Sequence, residues 1–309
     1  MAKLTTPITL GIDVAKDTLA IYHWNEDRLE TIDNDPGAIK TYLDGLHGPV
    51  QLALEPSSDY YFAMADVALA RGLAVYLVNA RQLAHYRHAV DLRHKSDPHD
   101  AWLLARYLCH EAEQLRPLQL RDRRARRLWG LITRRGTIVQ ARQRLKQSMA
   151  GTDFSIKALL TQFQSVLARL EHQIQSLIRQ LGWWGDYRHC LSIPGVGPAN
   201  AAALVAAYHR GTFSSSDTFV AYLGLDIRLR GSGCFKGKSK LTKHGEPELR
   251  RLLYCAARPA LCYPRFAQYH LRMLDKGHSK TAARVALARK LARIAFTLIN
   301  RDEDFRETS

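Results

Sequence analysis

The first hundred residues alternate between apolar and polar positions. In ITLGID, Ile8, Leu10 and Ile12 interleave with Thr9, Gly11 and Asp13, the two-residue period of a strand with one face on a core. DTLAIYHW follows after a tight turn, and RLETID reads as a third strand. A helical pattern near residues 36–46 leads into VQLALE, a strand closed by Glu55. A helix from about Asp59, the strand LAVYLV and further helices come next. Three strands in meander followed by strand–helix alternation predict an α/β domain of ribonuclease-H-like order.

In KSDPHDAWLLARYL, residues 95–108, Asp97 and Asp100 head a stripe that continues through Leu104 and Leu108, the spacing of one helical face. That face should lie inward, where a carboxylate is costly unless something positive meets it. Two readings stand side by side. Asp97 before Pro98 has the form of an N-cap with proline at the first helical position. Alternatively, the pair belongs to a divalent-metal site that needs further carboxylates from elsewhere.

From Arg116 the pattern changes. Arg121, Arg123, Arg124, Arg126, Arg127, Arg134, Arg135, Arg142, Arg144 and Lys146 are opposed only by Asp122, in a helical stretch broken at GTDFS. The next helix carries Ile156, Leu160, Phe163, Leu167, Leu170, Ile174, Leu177 and Leu181, steps of four and three that predict a coiled-coil seam. At 1.5 Å per residue it spans roughly 39 Å and can pair with the arginine helix or with another subunit. The arginines are too dense to be buried and are expected to face phosphates. After Trp183 and Trp184 a mostly helical region ends in an amphipathic helix around Leu287, Leu291, Ile294 and Leu298.

Charge sharpens this picture. The 309 residues hold 45 Lys and Arg against 29 Asp and Glu, a formal +16, clustered in a way that points to nucleic acid. The expected organisation is α/β plus all-α, divided at 1–115, 116–184 and 185–309. No apolar run approaches the roughly 20 residues of a membrane span, and the N-terminus does not read as a signal peptide. Cys109, Cys190, Cys234, Cys255 and Cys262 form no CxxC pair, which predicts reduced thiols in a cytoplasmic protein.

The acids can now be placed together. Asp13 and Glu55 each end a predicted strand, and Asp97 and Asp100 begin a helix expected to cross those ends. Four converging carboxylates repel one another unless divalent cations bind between them, and oxygen-only ligands suit Mg²⁺ or Mn²⁺. His85 and His88 have no third ligand near. LSIPGVGPANAAALVA reads either as a helix-hairpin-helix offering backbone N–H groups to a phosphate or as an ordinary turn packed through alanine. In GLDIRLRGSGCFKGKSKLTKHGEPELRRLL, a Gly-Ser-Gly lies among Lys236, Lys238, Lys240 and Lys243, a basic loop suited to phosphate.

GIDVAKDTL, LEPSSDYY, KSDPHDAWLLARYL, LSIPGVG, FVAYLGLD and the SG…G…LTKHG…LRRLL run resemble, in order and spacing, the DEDD-type insertion-sequence transposases. That family includes the Piv-like DNA invertases and the bridge-RNA-guided recombinases. The resemblance implies a RuvC-like N-terminal domain, a coiled coil and a C-terminal transposase domain. It implies Asp13, Glu55, Asp97 and Asp100 as a Mg²⁺-binding tetrad, and Ser232 as a nucleophile that joins covalently to DNA. It implies a dimer of dimers with DNA donor and target and a structured guide RNA. Arg123, Arg124, Arg126, Arg127, Arg134 and Arg135, with the four lysines, are the expected nucleic-acid contacts. Gly231 stands where the family commonly has an acidic residue and Thr242 where it has a serine, and the loop after Ser232 is about one residue short.

Overall fold

The alternation of the first hundred residues becomes a five-stranded sheet in the computed structural model, which describes residues 7–56, 59–90, 97–119, 122–228, 231–232, 235–236, 240–242 and 245–306. For Asp97, residue 228 and the described part of 231–240, only the backbone is described. The chain divides into two compact units, Met1–Arg121 and Asp122–Ser309.

In the first unit, β1 (Ile8–Val14), β2 (Thr18–His23) and β3 (Arg28–Asp33) form the meander. There follow α1 (Pro36–Asp44), β4 (Val50–Leu54), α2 (Tyr61–Ala70), β5 (Ala74–Leu77), α3 (Ala80–Ala89) and α4 (Asp97–Glu111). The sheet order is β3-β2-β1-β4-β5, with β1, β2 and β3 antiparallel and β4 and β5 parallel to β1. Helix α1 starts cleanly because the Asp35 carboxylate accepts from the Gly37 and Ala38 amides at 2.8 and 3.2 Å, with Pro36 in the first turn.

Strand parity sorts the two faces. Leu10, Ile12, Leu19, Ile21, Leu52 and Leu54 bury against Ile39, Met64 and Ala68 of α1 and α2. Gly11, Ala53 and Tyr22 point the other way, toward α4. Helix α4 lies so close to β1 that a methyl group at Gly11 would overlap the Ala101 carbonyl and the Ala105 amide. Glycine here admits a neighbouring backbone.

The second unit contains α5 (Arg123–Ser148), α6 (Lys157–Gln180), α7 (Trp184–Ser192), α8 (Pro198–Tyr208) and α9 (Ser216–Tyr222). Four two-residue strands follow: β6 (Ile227–Arg228), β7 (Gly231–Ser232), β8 (Phe235–Lys236) and β9 (Lys240–Leu241). The unit closes with α10 (Pro247–Ala260), α11 (Pro264–Asp275) and α12 (Lys280–Arg301). The heptad face of α6 is buried or half-buried from Ile156 to Leu181, whereas most positions between are exposed. It packs on α5 of the same chain, Ile174, Leu177 and Ile178 joining Leu128 and Ile132 in the core of the whole unit. Helix α8 is apolar on every side, and Ala201 through Ala207 are all buried among the surrounding helices.

The turn between α7 and α8 depends on Gly195. Its φ is +86°, and a Cβ there would sit 2.6 Å from the Ala260 amide and 2.7 Å from the Ala256 carbonyl of α10. Left-handed backbone and steric overlap add, so Gly195→Ala should cost roughly 2–4 kcal/mol. The measurement is the midpoint of urea unfolding, and an unshifted midpoint would refute this packing of α7–α8 on α10.

The C-terminal residues are clasped by a buried histidine. His189 Nδ1 lies 2.8 Å from Asp304 and Nε2 2.9 Å from Asp302, while the Phe305 amide donates to Ser192 Oγ at 2.7 Å. Only an imidazolium can donate from both nitrogens. Burial opposes that charge, but the two carboxylates outweigh it and raise the ring above the ordinary histidine value. A raised folded-state pKa stabilises below the unfolded-state value and is lost as pH climbs through the folded one. Thermal melts should show the advantage of wild type over His189→Gln shrinking as pH rises from the ordinary histidine range through the raised folded-state value. A constant difference across that window would remove the charged clasp.

Candidate functional site

The ends of the two central strands define one end of the first unit. Ile12 pairs with Leu54 in parallel register, so Asp13 and Glu55, each one residue further, lie side by side. Both share the parity of Gly11 and Ala53 and therefore the face covered by α4; both are half-buried.

Helix α4 runs antiparallel to β1. His110, near its C-terminus, stands edge-on to Trp24 at 5.8 Å, and the Trp24 amide donates to the Thr9 carbonyl at the start of β1. The opposite end of α4, with Asp97 and Asp100, is thereby directed toward the end of β1 where Asp13 lies. Helix α4 begins at Asp97 with Pro98 second. Leu104 and Leu108 below them are fully buried.

Asp100 is one of the few buried charged side chains, and the positive partner such a position demands is Arg87 of α3, which donates to its carboxylate. An isolated carboxylate there would be costly, and removing the guanidinium would leave it unpaired. Arg87 was not singled out from the sequence, because two helices have to pack before it reaches Asp100.

Among the described residues no three His, Cys, Asp or Glu side chains are grouped closely enough to hold a metal ion, and the Asp97 side chain lies outside that set. The donor chemistry at this end of the sheet is carboxylate oxygen throughout, the kind a hard divalent cation takes. Asp100 is already neutralised by Arg87, so a cation binding there would compete with the guanidinium. His85 and His88 are exposed on α3.

The cations of the second unit divide into engaged and outward-facing groups. Arg124 pairs with the Asp122 cap and reaches the Gln180 carbonyl at 3.2 Å, and Arg135 is half-buried 3.6 Å from Glu171. Arg123, Arg127 and Arg134 are exposed along α5, and Arg126 is half-buried. Arg142 is half-buried like Arg126 and Arg135, and none of the described arginines of α5 is fully buried. On α12, Arg284 donates to the Tyr254 hydroxyl, Arg293 pairs with Asp217, and Lys290 lies 4.4 Å over the Tyr269 ring.

The Gly-Ser segment forms a short hairpin, Gly231 pairing with Lys236 and Ser232 with Phe235. Beside it β6 pairs with β9, matching Arg228 to Lys240, and the Thr242 amide donates to the Asp226 carbonyl. Lys238 and Lys243 lie outside the described residues, as do the side chains of Ser232, Lys236 and Lys240. Among the described cysteines, Cys109, Cys190, Cys255 and Cys262 are free thiols, and burial raises the Cys190 thiol far above its ordinary pKa. No helix of the described residues is long and apolar enough to cross a membrane.

Comparison with known proteins now bears on this arrangement. Residues 10–152 match the DEDD-type transposase family of the IS110 group, and residues 187–271 match the transposase family IS116/IS110/IS902. The chain belongs to the IS110 family of transposases. The first match spans the sheet, α4 and the arginine helix, and the second spans α7 through most of α11, including the hairpin of Ser232. The chain is 28% identical to the pilin gene-inverting protein of Moraxella lacunata over 319 residues, covering 96% of this chain and 97% of that protein. It is 32% identical to a probable family 20 transposase of Pseudomonas aeruginosa over 158 residues, 49% of this chain and 45% of that protein. A transposase for the insertion sequence element IS1328 of Yersinia enterocolitica is 36% identical over 153 residues, 45% of each chain. This family membership makes the protein a DNA-rearranging enzyme.

Proposed function

We propose that this IS110-family protein is a site-specific recombinase that cuts and rejoins DNA strands through a serine–DNA ester. The observation that carries the reading is the shared end and face of Asp13, Glu55 and the first turn of α4. The strand order β3-β2-β1-β4-β5, crossed by α4, suits a RuvC-like catalytic unit with its carboxylates at that end. Asp13, Glu55, Asp97 and Asp100 would hold Mg²⁺ or Mn²⁺. When bound, such an ion would supply Lewis-acid polarisation of a phosphate oxygen.

The chain's own groups divide the remaining work. Ser232 Oγ attacks phosphorus, the O–P bond forms as the bond to the deoxyribose oxygen breaks, and that oxygen leaves protonated. The serine proton passes to a nearby base, since a neutral hydroxyl is a weak nucleophile. Return of a different strand's hydroxyl to the same phosphorus releases the serine and joins the new ends. The lysines around the serine offset the charge of the phosphate under attack. The exposed arginines of α5 hold the nucleic-acid backbone.

The enzyme acts on donor and target DNA as a homo-oligomer, a dimer of dimers, and reads them through a structured guide RNA. The full-length match to a pilin gene-inverting protein favours inversion as one outcome of the same chemistry. A nicking and joining assay with and without Mg²⁺ tests the reading. Metal-dependent cutting together with joining supports it. Cutting without joining makes the protein a hydrolytic nuclease, and binding without cutting leaves it architectural.

A further inference from the structure

A cleft of about 640 Å³ opens in the second unit between α5, α6, α8 and α10. We propose that it is a binding pocket for a single unpaired nucleotide of a nucleic-acid strand, its phosphate on three arginines and its base on an apolar wall. The proposal rests on the reading of this unit as nucleic-acid-binding and gives that reading a specific site.

Arg135, Arg142 and Arg251 line the cleft, and they arrive there in different ways. Arg251 is held by a two-pronged contact with Glu248, at 2.6 and 2.7 Å, and Glu248 is itself nearly buried. That carboxylate fits only because α5 has glycine opposite it, since a Cβ at Gly136 would collide with Glu248. Arg135 is steadied by Glu171 at 3.6 Å, and its Nε is buried without a hydrogen-bond partner. Arg142, half-buried, makes no ion pair or hydrogen bond among the described residues. Two carboxylates against three guanidiniums leave a positive recess with one cation unspent, which suits a phosphodiester.

A phosphate alone does not explain the rest of the cleft. Val139, Leu167, Pro198 and Leu252 give it an apolar wall, and its volume falls among small-molecule sites of about 300–1,000 Å³. Asn200 Oδ1, on the first turn of α8, is buried without a hydrogen-bond partner, an acceptor suited to the N–H of a base or a sugar hydroxyl. Gly197, Ala199 and Asn200 at the start of α8, which has no side-chain cap, line the same recess, and a helix N-terminus favours an anion. A duplex backbone is stiff and would reach only the rim. An unstacked nucleotide can enter, phosphate to arginine and ring to wall, as single strands do on other proteins.

Two variants test this in different ways. Arg142→Gln removes the uncommitted cation without stranding a partner. Ala168→Phe, at an exposed position of α6 on the cleft, fills the space without changing charge. The full chain and both variants are titrated with a mixed-sequence single strand containing 2-aminopurine, as DNA and as RNA, and with a blunt DNA duplex. Both variants should bind single strands about tenfold more weakly, keep duplex affinity and lose the 2-aminopurine fluorescence change. Arg142→Gln should also lower the salt slope for single strands by about 0.7. A loss confined to the DNA or the RNA arm assigns the occupant to that strand. If both variants bind single strands as wild type does, the pocket is overturned while the recombinase reading stands. If wild type binds no nucleic acid at all, both fall together.

Discussion

Strand cleavage should be lost in Asp13→Asn and in Asp97→Asn, by at least about a thousandfold, while the fold survives. Asparagine keeps the shape of aspartate and the backbone register of β1 with β2 and β4, but it removes the charge that a divalent cation needs. With carboxylates gathered at one end of the sheet, losing one also relieves repulsion, so the metal-free melting temperature should hold or rise. Asp100 should behave differently. Its carboxylate answers Arg87 in a buried pair, and Asp100→Asn leaves a guanidinium without its counter-charge, a change that costs stability as well as activity. Gel assays of labelled DNA read cleavage, and thermal melts without metal read the fold. Normal cleavage in both Asp13→Asn and Asp97→Asn would return Asp97 to the role of a helix cap and remove the metal site.

Ser232→Ala should keep DNA binding and assembly yet eliminate both the covalent adduct and strand exchange. A serine ester conserves the energy of the phosphodiester, so a broken strand can be joined to a new end without another energy source. Water directed by a carboxylate site cannot do this. The hairpin β7–β8 is held by backbone pairing at Gly231 and Ser232, so deleting a hydroxyl leaves its framework intact. Ser239→Ala, in the same basic loop, should be far milder. The readout is a slow-migrating DNA band on a denaturing gel that protease removes. Its persistence in Ser232→Ala, or its absence from a wild type that cuts efficiently, would hand the chemistry to hydrolysis.

The sheet was legible because its signals are local. Alternation in ITLGID and VQLALE, β-branched residues and tight turns decide each strand without distant help, and they put Asp13 and Glu55 at strand ends. The heptads of α6 were equally plain, but periodicity names a face and not its partner; burial of Leu128 and Ile132 with Ile174 and Leu177 identifies α5 of the same chain. The ion pair of Arg87 with Asp100 joins two helices through a packing angle that no local pattern encodes. The cleft needs four helices in place. Arg142 stood in the run of arginines expected to face phosphates and Arg251 was not singled out; only the packing of Glu248 against Gly136 shows that one is engaged and the other is not.

Gly136 also has a mechanical consequence. With the Glu248 carboxylate seated where a side chain would otherwise be, α5 and α10 are locked in register like a key in a slot. Sliding α5 along its axis by one turn, about 5.4 Å, would bring Ile132 or Gln140, each with a side chain, to the place of Gly136 against that carboxylate. The seated carboxylate therefore resists shear between these two helices, and the shape of the cleft beside them is held by the same contact that positions Arg251.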